Sequence, residues 1–170
     1  GMNVLDIGSN IGYYLLIEKK IIGDNGKIIA VEPSSKNIKL LTDNIKLNKL
    51  NNVEIKHAAI SDKNSQEKFF ISSKSNLNTF HINNKTNLSL TGETELVSTY
   101  TISNVVKNVK IDLIRMDVEG HEVQVINGLI NNISSSLKPM IIFEPHISRY
   151  DDEFDFKKTL INLFKHNYST

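Results

Sequence analysis

Five short apolar runs, at residues 4–7, 27–31, 53–56, 111–116 and 140–143, alternate along the chain with stretches of helical periodicity. Each run is β-branched or otherwise apolar at nearly every position, as a strand buried on both faces must be, so the pattern specifies parallel strands joined by helical crossovers. Between the runs, Ile38, Leu41 and Ile45 share one helical face, opened by Ser34 and Ser35 as capping residues. Val123, Ile126, Ile130 and Ile133 share a second face. Phe156, Leu160 and Phe164 share a third, preceded by Asp151 and Asp152 as candidate caps. The first helix is expected over residues 12–22, ending at Gly23 before the turn Gly23-Asp24-Asn25-Gly26. These elements predict an α/β fold, a Rossmann-like, doubly wound, mostly parallel sheet. At 170 residues and 39% hydrophobic, the chain suits one domain over residues 1–170 with a single sizeable core.

Residues 62–109 break the rhythm. The segment carries "EKFF", a Ser/Asn/Lys-rich stretch and then "LVSTYTI", which predicts a β-hairpin-like insertion, mobile at its tip, with a disordered surface loop as the equal alternative. Its Asn84 and Asn87 sequons carry no meaning without secretion.

Several classes are excluded early. With no cysteine there is neither a disulfide framework nor a thiolate nucleophile or metal ligand. A net charge of +1, and only Arg115 and Arg149 among the basic residues as arginines, argue against nucleic acid as a partner. No apolar run approaches the ~20 residues of a membrane span, and no signal peptide is visible, so a cytoplasmic protein is expected with no membrane partner. Gly1 before Met2 reads as a tag scar and the chain as a trimmed piece of a longer protein.

The first run ends in Asp6-Ile7-Gly8-Ser9-Asn10-Ile11-Gly12 and flows into a helix, which is expected to gather free backbone N–H groups around one small space. The next run ends at Glu32, about 20 residues after Gly12, where a carboxylate meets a ribose hydroxyl in a Rossmann unit. An adenosine-containing ligand follows. A pyrophosphate-binding turn wants G-x-G-x-x-G, but the middle position here is Asn10, and Asp6 adds negative charge where phosphates would sit. Both features favour S-adenosylmethionine over NAD. The cofactor-binding candidates are Asp6, Gly8, Ser9, Asn10, Gly12 and Glu32.

"LDIGSNIG", "AVEPS", "IRMDVEGHEVQVINGL" and "IIFEPH", in that order, resemble the FkbM-type methyltransferases, a branch of the class I S-adenosylmethionine-dependent enzymes. The resemblance spans nearly the whole chain. It implies a sheet in the class I order and O-methylation of a sugar or small-molecule hydroxyl. Asp6, Gly8, Asn10 and Gly12 then match the cofactor loop and Glu32 the ribose carboxylate. The chain stops at Tyr168-Ser169-Thr170, where the sixth strand of such a sheet would begin. A sheet without its last strands has an open edge, which suggests truncation, a reduced fold or a homo-oligomer paired through that edge.

Ligands of open parallel sheets bind beyond the C-terminal strand ends, which here carry Asp6, Glu32, Asp117 with Glu119, and Glu144 with His146. Methyl transfer to an alcohol gains from a base within reach of the hydroxyl. Asp117 is the first candidate, because the fourth strand of a class I sheet ends beside the methyl group. His146 is the second, with Glu144 orienting the substrate or His146. A helix N-cap is the lesser alternative for Asp117; Glu119 and Glu122 sit where a helix dipole favours acids, and His81 and His121 read as surface or structural residues. No metal is expected; Asp117, Glu119 and His146 are suitable ligand types, but the sequence cannot show their convergence. An NAD-linked oxidoreductase and a non-catalytic nucleotide-binding module remain as alternatives. The segment "FEPH" lacks the Asn/Asp-Pro-Pro-aromatic pattern of base methylation, so a small-molecule or sugar acceptor is favoured over nucleic acid. The sequence leaves the acceptor's identity open.

Overall fold

A computed structural model describes residues 1–82, 89–132 and 138–169. Asn84, Asn87 and Ile133 lie outside the described residues. Strands β1 (Asn3–Ile7), β2 (Lys27–Glu32) and β3 (Val53–His57) alternate with helices α1 (Tyr13–Ile22) and α2 (Ser35–Leu47). The insertion follows: β4 (Ala59–Ile60), β5 (Ser65–Ser72), a 3-10 turn at Ser75–Leu77, β6 (Leu90–Tyr100) and α3 (Ile102–Val106). The chain returns through β7 (Leu113–Met116), α4 (Glu122–Asn132), β8 (Met140–Phe143), a 3-10 turn at Ile147–Arg149 and α5 (Phe156–Lys165).

The main sheet has the order β3-β2-β1-β7-β8, with every pairing parallel. The order reverses direction at β1, so the crevice beyond the ends of β1 and β7 is where a doubly wound sheet binds its ligand. Alternate residues of each strand feed the two faces. Val4, Ile28 and Ala30 pack with Leu15 of α1 and Leu41 of α2 on one side. Leu5, Ile7, Ile29, Val31, Ile114 and Met116 pack with α3, α4 and Leu163 of α5 on the other. Full burial of such aliphatic side chains stabilises the fold by roughly 1.5–3 kcal/mol each.

β1 and β2 are buried on both faces, as their composition demands. At the sheet's edge β8 departs from that expectation, because Met140 and Ile142 are exposed on the face that no helix of the described chain covers. Ser34 caps α2 as expected, its Oγ accepting from the Asn37 N–H. Asp155 rather than Asp151 or Asp152 caps α5, accepting from the Lys158 N–H at 2.9 Å. Asp151 instead closes its own turn by accepting from the N–H groups of Glu153 and Phe154. The inward stripe of α5 runs through Thr159 and Leu163, which leaves Phe164 exposed.

The insertion is a long antiparallel β5–β6 hairpin, and β4 adds to β6 in parallel to make a second, three-stranded sheet. Phe69 and Phe80 pack together with tilted rings, their centroids 4.7 Å apart. Among the described residues no helix is long and apolar enough to cross a membrane.

Candidate active site

A solvent-open cleft lies beyond the C-terminal ends of β1, β2 and β7. Gly8, Asn10, Glu32, Asn37, Asp117 and Glu119 supply one wall, and Phe69, Phe80 and the turn at residues 75–78 supply the other. The insertion therefore roofs the strand ends. Thr79 ties it down by donating from Oγ1 to the Glu119 carbonyl at 3.0 Å.

The loop after β1 differs from its sequence expectation in one respect. Four of its N–H groups are engaged: those of Gly8 and Ser9 donate to the Val31 carbonyl at 2.9 and 3.1 Å, that of Asn10 donates to Glu32 Oε2 at 2.9 Å, and that of Gly12 donates to the Ser9 carbonyl. Parallel pairing of β1 with β2 brings the two strand ends together, so the loop spends its donors on β2. Ser9 is buried, its hydroxyl donating to the Asp6 carbonyl. Gly8 adopts φ +79°, and a Cβ there would run into the carbonyl oxygen of Asp117, so only glycine lets the β1 and β7 ends meet.

Glu32 is buried and accepts three N–H bonds, from Asn10, from Ser34 at 2.9 Å and from the Asn37 side chain at 3.2 Å. Burial pushes its carboxyl up to about 7, against the pull of those donors. Oε2 carries a single one of them, leaving it capacity for a ligand hydroxyl. Asn10 Oδ1 and Asn37 Oδ1, both on the cleft wall, are buried acceptors with no partner.

Asp6 does not reach the cleft. It is fully buried beneath the loop, opposite its register partner Arg115 on β7, whose Nη1 donates to Oδ1 at 3.1 Å. Desolvation raises the Asp6 pKa although Arg115 and Ser9 oppose it. Neighbouring Glu18 is pushed up to about 8 by burial and by the charge of Asp6. Arg115 also donates through Nη2 to Asp117 Oδ2 at 3.1 Å and stacks on Tyr14, 4.2 Å from the ring centroid. Two arginine nitrogens thus link the two sequence-predicted carboxylates.

Asp117, Glu119 and His146 converge. His146 Nε2 lies 3.8 Å from Asp117 Oδ1 and 3.5 Å from Glu119 Oε1, while Nδ1 lies 2.7 Å from Glu122 Oε1. Burial would lower the His146 pKa, but Glu119 and Glu122 outweigh it and raise it to about 10, so the ring carries a proton on each nitrogen at neutral pH. Burial also raises Asp117, with Arg115 and His146 in opposition. For Glu119, burial is outweighed by His146 and Arg149, which hold its pKa low. The turn that places these groups uses two successive left-handed residues, Glu119 at φ 51° and Gly120 at φ 100°. A Cβ at Gly120 would sit 2.8 Å from Arg149 Cβ, so the glycine admits the arginine that grips Glu119 Oε2 at 2.7 Å.

Glu144 is exposed at the end of β8; Glu122 is the carboxylate that orients His146. Glu122 is fully buried, with Oε2 accepting from the Tyr150 hydroxyl at 3.0 Å, which a purely dipolar role would not require. Asp117 is not the α4 cap, since that helix starts only at Glu122. His121 is buried, with its pKa lowered to about 3 by desolvation and by His81, and its ring joins His81 to Ser61 through contacts of 3.0 and 3.2 Å. Arg115, Arg149 and Glu122 escaped the sequence reading. The one available signal was that the chain's two arginines flank the strand ends.

A model of the methyltransferase FkbM domain matches residues 6–170. Among solved structures, an FkbM methyltransferase from Methylobacillus flagellatus KT is similar with TM-score 0.63 at 15% identity, over 98% of this chain and 36% of that one. A precorrin-6y C5,15-methyltransferase from Geobacter metallireducens GS-15 is similar with TM-score 0.53 at 16% identity, over 99% and 64%. An S-adenosylmethionine-dependent methyltransferase from Aquifex aeolicus gives 0.52 at 17%, over 95% and 70%. The chain thus spans about a third of the length of the Methylobacillus protein, and at these identities the likeness concerns the fold. No curated protein matches the chain in sequence. With its strand order, its strand-end cleft and a family match from Asp6 to the last residue, the chain belongs to the FkbM methyltransferase domain family and has the class I methyltransferase fold.

Proposed function

We propose that the chain is an S-adenosylmethionine-dependent O-methyltransferase domain whose acceptor is a hydroxyl of a small molecule or sugar. The observation that carries this reading is the polarity of the cleft wall. The N–H groups of Gly8, Ser9, Asn10 and Gly12 are engaged by Val31, Glu32 and Ser9, while Glu32 Oε2, Asn10 Oδ1 and Asn37 Oδ1 still have acceptor capacity. Such a wall fits ribose hydroxyls and an ammonium group, and it offers a pyrophosphate little, which weighs against an NAD-linked oxidoreductase. Glu32 would hold the ribose, and Asn10 and Asn37 the neighbouring donors.

When bound, S-adenosylmethionine supplies a methyl group already activated on a sulfonium; an O–C bond forms, the C–S bond breaks with its electron pair left on sulfur, and the hydroxyl gives up its proton. The chain's own task is alignment and exclusion of water. Asp117, at the end of β7 and facing the cleft, would hold or deprotonate the hydroxyl; its raised pKa makes it a stronger base than an ordinary carboxylate. Already protonated, His146 would position Asp117 and Glu119 rather than take that proton. Phe69, Phe80 and the insertion would cover the acceptor.

Calorimetric titration with S-adenosylhomocysteine tests the reading, run on the chain and on Asp117→Ala beside a parallel titration with NADH. Saturable S-adenosylhomocysteine binding to both proteins is expected, with methyl transfer from labelled donor lost in the variant. Binding of NADH, with no S-adenosylhomocysteine binding up to ~1 mM, would overturn it.

A further inference from the structure

Each of Asp117, Glu119 and His146 is anchored by one polar atom and has another left over. Arg115 holds Asp117 Oδ2, Arg149 holds Glu119 Oε2, and Glu122 holds His146 Nδ1. The remaining atoms, Asp117 Oδ1, Glu119 Oε1 and His146 Nε2, all lie within 4.8 Å of one another. Nε2 stands 3.8 and 3.5 Å from the two oxygens, at or beyond the limit of a hydrogen bond. Those spacings have another reading. Two ligands bound to one ion at about 2.1 Å, and separated by a near-tetrahedral angle, stand about 3.4 Å apart. We propose that Asp117 Oδ1, Glu119 Oε1 and His146 Nε2 form a binding site for one divalent metal ion at the acceptor end of the cleft.

The supporting groups are those a metal site requires. A ligating histidine gives its other N–H to a carboxylate, and ligating carboxylates are themselves hydrogen-bonded. Glu122 is fully buried and fixed in turn by the Tyr150 hydroxyl, so the ring has one orientation. One arginine stands behind each carboxylate and a buried carboxylate behind the imidazole, so each ligand atom is held in place without being consumed. Two oxygens and one imidazole nitrogen suit a borderline ion such as Mn²⁺ or Zn²⁺, which displaces the Nε2 proton to solvent as it binds, so its affinity rises with pH. Three protein ligands leave positions open for water or a substrate oxygen.

Asp117 and Glu119 line the cleft, so the ion would face the acceptor and lower the pKa of a hydroxyl bound to it, with the proton leaving to water. Asp117 would then hold the hydroxyl through the ion. That use rests on the methyl-transfer reading; the existence of the site does not.

Mn²⁺ titration of the chelator-treated full chain, followed by the EPR signal of the free ion and with no acceptor or methyl donor present, tests the site. One saturable site is expected. Asp117→Asn, Glu119→Gln and His146→Gln should each weaken it at least about tenfold, and Glu122→Gln by about 10- to 100-fold. Should a variant fail to fold, paramagnetic broadening in the unsubstituted chain decides, since the His146 ring resonances should broaden before those of His57 and His166. A wild-type chain with no saturable site below ~1 mM, or broadening that spares His146, overturns the proposal. S-adenosylhomocysteine titrated without Mn²⁺ separates the two readings: retained binding with no Mn²⁺ site removes the metal proposal alone.

Discussion

The Asn10 N–H donates to Glu32 Oε2 at 2.9 Å, so the carboxylate that ends β2 holds the loop that ends β1. Glu32 therefore has two duties: it fixes the loop's shape and presents its remaining acceptor capacity to the cleft. Glu32→Ala should weaken S-adenosylhomocysteine binding by ~1.5–3 kcal/mol, the range for a hydrogen bond to a charged group. It should also lower unfolding free energy by ~1–3 kcal/mol, because three donors lose their partner. Glu32→Gln, which retains an acceptor oxygen, should lose less of both. Calorimetry and urea unfolding measure the two effects separately, and unchanged affinity in Glu32→Ala would contradict the ribose assignment.

The same carboxylate predicts a pH dependence. Its folded pKa, about 7, stands above the ordinary glutamate value of 4.5 because of burial. A group that binds its proton more tightly when folded contributes stability that is complete below 4.5 and lost as pH rises to about 7, at most ~3 kcal/mol for a shift of this size. Ligand binding runs the other way, since a ribose hydroxyl donates better to the ionised form. S-adenosylhomocysteine affinity should rise by about tenfold from pH 6 to pH 8, with proton release on binding near pH 6. Titrations in buffers of different ionisation enthalpy detect that release; pH-independent affinity would show that Glu32 does not meet the ligand.

Gly8 and Gly23 both have positive φ, but their surroundings differ. A side chain at Gly8 meets the Asp117 carbonyl, whereas at Gly23 nothing lies within 4 Å. Gly23→Ala should cost about 1 kcal/mol, the backbone penalty alone. Gly8→Ala should cost more than ~2 kcal/mol, because β1 and β7 must separate at their ends. Denaturant melts give the comparison, and equal losses would mean that the two strand ends do not meet as described.

How much was legible beforehand follows from where each signal resides. β1 and β2 were readable because burial on both faces leaves a nearly unbroken apolar run, and α2 because Ser34 precedes a periodic face. β4 was not, since two residues carry no periodicity. Asp155, not Asp151 or Asp152, caps α5 because a tight turn consumes Asp151 first. Glu32 announced itself by its distance from the glycine turn. Arg115 and Glu122 did not, because their partners lie 109 and 24 residues away and meet them only through strand register and the turn before α4. For the same reason the free N–H groups expected at Gly8 and Ser9 prove to be engaged: the sequence of one strand end carries no record of the carbonyl that its neighbour presents.

Arg115 bridges Asp6, which is fully buried, and Asp117, which faces the cleft. Asp6 Oδ2 has no hydrogen-bond partner, so the carboxylate depends on this arginine for its charge balance. Arg115→Met should therefore destabilise the chain by ~3–5 kcal/mol, the range for removing one partner of a buried pair. Most of that loss is the cost of an uncompensated charge, so Asp6→Asn introduced into Arg115→Met should recover a large part of it. Without Arg115 the folded pKa values of Asp6 and Glu18, already raised by burial, should rise further. Their sign is that of Glu32, so the single variant should be relatively more stable at pH 5 than at pH 8, the opposite of ordinary acid sensitivity. Urea unfolding of the four chains at both pH values completes the double-mutant cycle. Additive losses from Asp6→Asn and Arg115→Met would show that the two residues, though register partners across β1 and β7, do not share their energetics.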